Sequence, residues 1–146
     1  MNLQQLLKDP DDISVVLDDN WLKLWELRSE YPLEDAETLK LDDETYITEI
    51  GETPENYQQI DSQYIGLIKL SAKGCFHFKN THRYLQNFES RKEVIRNRTV
   101  NQIYMTDFLQ ILINIGVRIK GVRIKGGWIE VDTNKDYELF LKMYKI

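Results

Sequence analysis

Residues Ile13 to Leu17 read ISVVL, an uncharged, largely β-branched run set between Asp11-Asp12 and Asp18-Asp19. A strand with one wet face alternates apolar and polar residues, so a run without alternation predicts a strand covered on both faces, as in the sheets of α/β proteins. The cover has to come from helices, and helical patterns lie on either side. Leu3, Leu6 and Leu7 recur at helical spacing and stop before Pro10. Trp21, Leu24, Trp25 and Arg28 follow Asn20, a plausible N-cap, and end before Pro32.

The same alternation of elements continues along the chain. Thr38 to Leu41 and Tyr46 to Ile50 predict a hairpin about Asp42-Asp43-Glu44, closed by Gly51 and Pro54. Tyr64 to Leu70 predicts a strand around Gly66, where the missing side chain lets a ligand or a neighbouring chain come close. Ser71 to Phe108 has no clean period and reads as partly helical. Phe108, Ile111, Leu112 and Ile115 then keep the i, i+3, i+4, i+7 rule, with Thr106 to cap the helix and Gly116 to end it. Val117, Ile119, Val122 and Ile124 alternate with basic residues, and the phase slips at Gly121, which predicts a bulge or bend. The doubled pentapeptide VRIKG is two short copies within one strand region and not a solenoid repeat. Gly126 to Asp132 predicts a tight turn and a short strand. Thr133 with Asp136 then forms a shortened capping box for a last helix carrying Tyr137, Phe140, Leu141 and Tyr144 on one face. The fold class expected is α/β: a layered, mixed, mostly parallel sheet with flanking helices, in a single domain over residues 1–146.

Composition removes several function classes. A formal net charge of -5 argues against a nucleic-acid surface, which needs a basic excess to displace counterions. Two basic groups, Arg91, Lys92, Arg96 and Arg98, and Arg118, Lys120, Arg123 and Lys125, read as solvated faces or as phosphate contacts. The single cysteine, Cys75 in GCFHF, forms no internal disulfide and is expected as a small buried side chain in a reducing, cytoplasmic setting. His77 and His82 have no acidic or cysteine companion at metal spacing. No apolar run approaches the length of a membrane span, no signal segment opens the chain, and the sequon Asn97-Arg98-Thr99 then has no meaning. GxSxG, HExxH and GxxxxGK[ST] are absent, so no catalytic nucleophile is assigned.

Asp132 ends its expected strand beside a fresh helix N-terminus, which suits a carboxylate that holds Mg2+ and phosphate or one that helps cap the helix. Glu49 is a polar residue on an alternating strand, and Asp107 is a first-turn acid favoured by the helix dipole.

Five segments, DAETLKLD (35–42), ITEIGETPE (47–55), QYIGLIKLS (63–71), YMTDFLQILINIG (104–116) and GGWIEVDTNKD (126–136), fall in a familiar order. Together they resemble the carboxyl-terminal half of the sugar-phosphate and choline-phosphate nucleotidyltransferases, a MobA-like NTP transferase family. The branch is the phosphocholine and phosphonate cytidylyltransferase-like one, including enzymes fused to phosphoenolpyruvate mutase. The resemblance implies a partial nucleotide-diphospho-sugar transferase fold. It implies Asp132 as the Mg2+ ligand of a W-x-E-x-D-T motif, and Glu49, Tyr64, Gly66 and Asp107 on the acceptor side. The implied partners are a nucleoside triphosphate, with CTP foremost, and a phosphorylated acceptor such as phosphocholine, a phosphonate or a sugar phosphate, with pyrophosphate released. A lysine that many relatives carry near Glu52 is replaced here by an acid. The family's G-x-G-x-R phosphate loop and its second metal-binding Asp have no counterpart. The chain alone is therefore expected to be inactive or weakly active and to need an N-terminal-half chain. The alternatives are a non-catalytic α/β binding module derived from the family, or an unrelated α/β domain.

Overall fold

The computed structural model describes residues 3–87 and 92–144. Strand β1 (Ile13–Asp18) is buried along its whole length. It is the middle of a three-stranded sheet of order β4-β1-β7, which is why ISVVL does not alternate. It runs parallel to β7 (Lys120–Ile124), from Ser14↔Lys120 to Asp18↔Ile124, and antiparallel to β4 (Gln63–Leu70), from Ile13↔Leu70 to Asp18↔Gln63.

The layered, mixed α/β class holds, but the sheet is less parallel than expected, since β1–β7 is its one parallel ladder. The reason is the path between β1 and β4. Helix α2 (Trp21–Arg28), a 3-10 turn (Pro32–Asp35) and the hairpin of β2 (Leu39–Leu41) and β3 (Ile47–Ile50) lead the chain back to the carboxyl end of β1. Gln63 therefore meets Asp18, and β4 has to run backwards along its neighbour. Backbone bonds from Ile47 N to the Ile119 carbonyl (2.9 Å) and from Gly121 N to the Thr45 carbonyl (2.8 Å) dock the hairpin beside β7.

One face of the sheet carries the main core. Ile13, Val15 and Leu17 pack with Leu39, Ile47 and Ile50, with Leu85 of α3 (Ala72–Gln86), and with Phe108, Leu109 and Leu112 of α4 (Met105–Asn114). The other face is thinly covered: Val16 and Val122 pack under Leu6 of α1 (Leu3–Lys8), with Ile65, Leu67 and Ile124 half-buried and Leu3 and Leu7 exposed. Among the described residues no strand pairs with the second edge of β4. No described helix is long and apolar enough to cross a membrane.

Helix α3 occupies the stretch without a clean period. Its signal was the cap: Ser71 Oγ accepts from the Lys73 and Gly74 backbone N–H groups, both at 3.1 Å. Gly74 lets this helix cross the chain at Asp12, whose carbonyl oxygen would lie 2.1 Å from an added Cβ. Cys75, next to it, is exposed, contrary to the expectation of burial, because α3 turns Gly74, Thr81 and Leu85 inward. The bulge expected at Gly121 is not there. Its register against β1 is unbroken, and glycine is needed because a Cβ would sit 2.5 Å from Leu17 Cδ1. The irregularity belongs to β4, where Gly66, at φ +81, lies between the pairs Leu17↔Tyr64 and Val15↔Ile68. Helix α4 begins at Met105, ahead of the expected Thr106 cap. A small hairpin of β5 (Glu93–Ile95) and β6 (Arg98–Thr99) turns through Arg96 and Asn97, both at positive φ. Arg91, in the first basic group, lies outside the described residues.

Candidate functional site

Open α/β sheets bind ligands beyond the carboxyl ends of their parallel strands, and here β1 and β7 end together at Asp18 and Ile124. Asp18 is buried and fully committed. Oδ1 accepts from the backbone N–H groups of Asn20 (2.9 Å) and Gly126 (2.7 Å), and Oδ2 accepts from the Trp128 indole N–H (2.8 Å). Asp19 Oδ1 accepts from Ser62 Oγ (3.0 Å) and Arg123 Nε (2.8 Å). Residues 126–131 do not form the expected strand. They make an extended loop held by side chains instead, with Trp128 tied to Asp18 and its ring 6.1 Å from that of Trp25. Burial of these indoles with Trp21, Leu24 and Ile60 replaces the missing ladder bonds.

That loop presents Asp132. Arg28, whose side chain is only 8% exposed, gathers three carboxylates. Its Nη2 is 2.7 Å from Asp132 Oδ2, its Nε 3.0 Å from Asp136 Oδ1 and its Nη1 3.2 Å from Glu130 Oε2. Burial works against the Arg28 charge, but the bonds to Asp136 and Asp132 outweigh it and raise the guanidinium pKa further. Asp132 itself is exposed, and its Oδ1 stays outside this pair. Asp136 Oδ2 also accepts from the Thr133 N–H (2.9 Å) and hydroxyl (2.8 Å), while Thr133 Oγ accepts from Asp136 N (3.2 Å). This is the capping box expected for α5 (Asn134–Tyr144).

Arg28, then the Thr133 bonds, hold the Asp136 carboxyl well below the usual carboxylate range. The unfolded chain therefore takes up this proton at higher pH than the folded one. The stability it contributes is complete above about pH 4 and is lost as pH falls below that. Asp136→Asn is expected to flatten the acid limb of the melting-temperature curve. Parallel curves for the two proteins would remove Asp136 as its origin.

Among the described residues no group of three or more His, Cys, Asp or Glu side chains is placed to hold a metal ion. Asp132 offers an exposed carboxylate, with Glu130 on the same guanidinium. Mg2+ commonly takes one or two protein carboxylates and fills its remaining positions with phosphate and water. The donor set fits that mode of binding and does not fit an all-protein cage.

Two of the residues expected on the acceptor side, Glu49 and Asp107, lie around a second cluster centred on Arg96. Glu49 lines an open groove of about 550 Å³ with Glu52, Ile95, Arg96, Gln110 and Asn114. Asp107 is completely buried, accepting from Arg96 Nη1 (2.8 Å), Arg98 Nη1 (2.9 Å) and the Tyr104 N–H (2.9 Å). A ligand can reach it only through those arginines. Arg96 also donates from Nε to Glu52 and from Nη2 to the Ile50 carbonyl, both at 2.6 Å. It is a structural tie and not a solvated basic residue. Thr106 Oγ donates to Glu37 (3.1 Å), whose carboxyl is pushed up by burial and then by Asp107. Burial, with help from Glu37, pushes the Tyr64 hydroxyl up to about 12.

Glu49 thus shares a groove with Arg96, which holds Asp107, and Tyr64 lies within electrostatic reach of Glu37. Gly66 lies at the exposed bulge of β4, and Asp132 belongs to the Arg28 cluster. Arg28 and Glu37 were not singled out from sequence. A cation in the last turn of a helix is an ordinary dipole partner, and nothing local marks Arg28 as the hub of acids about a hundred residues away.

The chain is 37% identical over 137 residues, 94% of its length, to the CTP:phosphoglutamine cytidylyltransferase of Campylobacter jejuni, and the match covers 52% of that protein. It resembles a solved CMP:2-keto-3-deoxy-manno-octonic acid synthetase complexed with CTP, at a TM-score of 0.59 and 13% identity, over 98% of this chain and 53% of the other. In sequence the chain is similar to a cytidylyltransferase. A second structure with the same fold is a Bacillus anthracis protein described as a glucose-1-phosphate thymidylyltransferase, solved with sucrose. It matches at a TM-score of 0.57 and 15% identity, over 97% of this chain and 46% of that one. No protein-family model matches. The chain spans about half the length of each of the proteins it matches.

Proposed function

We propose that this chain is the acceptor-side, carboxyl-terminal part of a cytidylyltransferase that moves CMP from CTP to a phosphorylated small molecule. The observation that carries this reading is the identity with a CTP:phosphoglutamine cytidylyltransferase along 94% of the chain. An oxygen of the acceptor phosphate attacks the α-phosphorus of CTP, a new P–O bond forms, and the bond to the β-phosphate breaks with its electrons leaving on pyrophosphate. Phosphoglutamine is the first acceptor to test, then phosphocholine, a phosphonate and a sugar phosphate.

In such a reaction the protein contributes mainly position and charge. Asp132 would hold Mg2+ through the oxygen that Arg28 leaves outside its pair, and Mg2+ supplies charge neutralisation on the phosphates. The Arg28 pair fixes the carboxylate, and the Trp128–Asp18 bond fixes the loop that carries it. Glu49, Tyr64 and Gly66 would face the acceptor, with Asp107 acting through the arginines it holds.

The phosphate loop and the second metal-binding carboxylate would come from a further polypeptide segment. The edge of β4, with which no strand pairs among the described residues, and the thin cover over Ile65, Leu67 and Ile124 support this, because an open edge beside an apolar face favours addition of a strand. A CTP-dependent reaction and a lone, unpaired cysteine suit a cytoplasmic setting.

The experiment is co-expression with a G-x-G-x-R half, read by light scattering and by Mg2+-dependent transfer from labelled CTP. A one-to-one complex that forms a CMP adduct is expected. A monomer that ignores the fragment and makes no product with any of these acceptors would sink the proposal.

A further inference from the structure

A hollow of about 460 Å³ opens between α3 and the start of α4. Its floor is apolar. Phe78 and Phe108 meet edge to face with their ring centroids 5.2 Å apart, and Val100 and Ile103 are half-buried against the same core. Tyr104 and Met105, both exposed, continue the apolar wall to the surface. The basic groups are confined to one side. Lys79 and His82 stand three residues apart on α3 and therefore project next to each other.

None of the described lining residues is an acid, and among the described residues no partner engages the Lys79 ammonium or the His82 ring. Helix α3 carries no acid along its whole length, so the rim charge has no neutraliser a turn away, although the chain as a whole is acidic. Gln110 and Asn114, which line the Glu49 groove, leave α4 on the opposite side from Phe108. The hollow is thus a second site, lined neither by Asp132 nor by Glu49, Tyr64, Gly66 or Asp107.

Small-molecule sites are concave and mostly apolar, run from roughly 300 to 1,000 Å³, and carry a few polar groups that fix the ligand's orientation. Here the orientation is set by charge. An anionic head against Lys79 gains a charge-assisted hydrogen bond, while a hydrocarbon tail takes the floor out of water. A neutral apolar molecule would leave the ammonium unused, and a cationic one would be repelled by it.

We propose that this hollow binds an apolar monocarboxylate, its carboxylate against Lys79 and His82 and its hydrocarbon over Phe78 and Phe108. The proposal is independent of the acceptor-side reading above.

The test is an amide NMR titration of the whole chain with octanoate, hydrocinnamate, octanol and octylammonium. At least one of the carboxylates is expected to shift the amides of residues 78–82 and 100–108, and the tighter of the two identifies the tail as aliphatic or aromatic. Octanol should bind about tenfold more weakly than octanoate, for want of the charge-assisted hydrogen bond. Octylammonium should not bind. Lys79 is exposed, so Lys79→Glu should fold as the unaltered chain does. It should invert the preference, losing octanoate about tenfold and gaining octylammonium. Val100→Trp should fill the hollow and abolish binding of every probe, and the Lys79 variant decides the matter if this one unfolds.

An octanol affinity equal to that of octanoate, or an unchanged preference in Lys79→Glu, would overturn the carboxylate assignment. No shift with either carboxylate, or shifts that map to Glu49 and Gln110 instead, would overturn the site itself. Neither result bears on nucleotidyl transfer, which is read by the labelled-CTP experiment.

Discussion

Asp107→Ala is expected to lower the unfolding free energy by about 3–5 kcal/mol, the usual cost of removing one partner from a buried ion pair, and urea denaturation followed by circular dichroism would read it. The carboxylate is completely buried and satisfies three donors. Without it the nearly buried Arg96 keeps Glu52 and the Ile50 carbonyl but loses the charge between itself and Arg98. The Tyr104 N–H at the start of α4 also loses its acceptor, which by itself is worth about 1 kcal/mol. Since α4 packs Leu109 and Leu112 into the main core, the loss should appear in global unfolding and not only as local fraying. Asp107→Asn should recover part of it by keeping the Tyr104 acceptor. A urea midpoint unchanged in Asp107→Ala would mean that the two arginines find water instead.

The second large effect is on activity. In the complex proposed above with a G-x-G-x-R half, Asp132→Ala is expected to lower nucleotidyl transfer about a thousandfold, a barrier increase of about 4 kcal/mol, because metal charge stabilisation is worth several kcal/mol. The same substitution should change stability by less than about 1 kcal/mol, since Asp132 is an exposed ion-pair partner. Arg28→Ala should behave in the opposite proportion. It leaves Asp136 buried without its cation, so stability falls first. Transfer that persists in Asp132→Ala at a substantial fraction of the original rate would remove Asp132 from the metal site.

What the amino-acid sequence settled is what neighbouring residues settle among themselves. The unbroken apolar run of β1, the hairpin about Asp42 to Glu44, the apolar stripe of α4 and the Thr133–Asp136 box each depend on side chains within a turn or two of one another. Their period and caps were therefore legible, and the segments at 35–42, 47–55 and 104–116 that resemble nucleotidyltransferases lie on the hairpin and α4. The tertiary structure decided whatever depends on contacts between distant elements. The return path through the hairpin set the direction of β4. Close approach of Leu17, and not a bulge, explains Gly121. Residues 126–131 stayed out of the sheet because Asp18 and the Trp25 indole took their bonds and their apolar surface. The charges show the division most clearly. Asp132 and Asp107 could be singled out as carboxylates in suggestive places, but Arg28 meets Asp132 and Asp136 across 104 and 108 residues of chain. The burial of Asp107 beneath two arginines likewise exists only once β5, β6 and α4 have packed. An ion pair has no sequence period, so which acid meets which base is fixed by the packing of the elements that carry them.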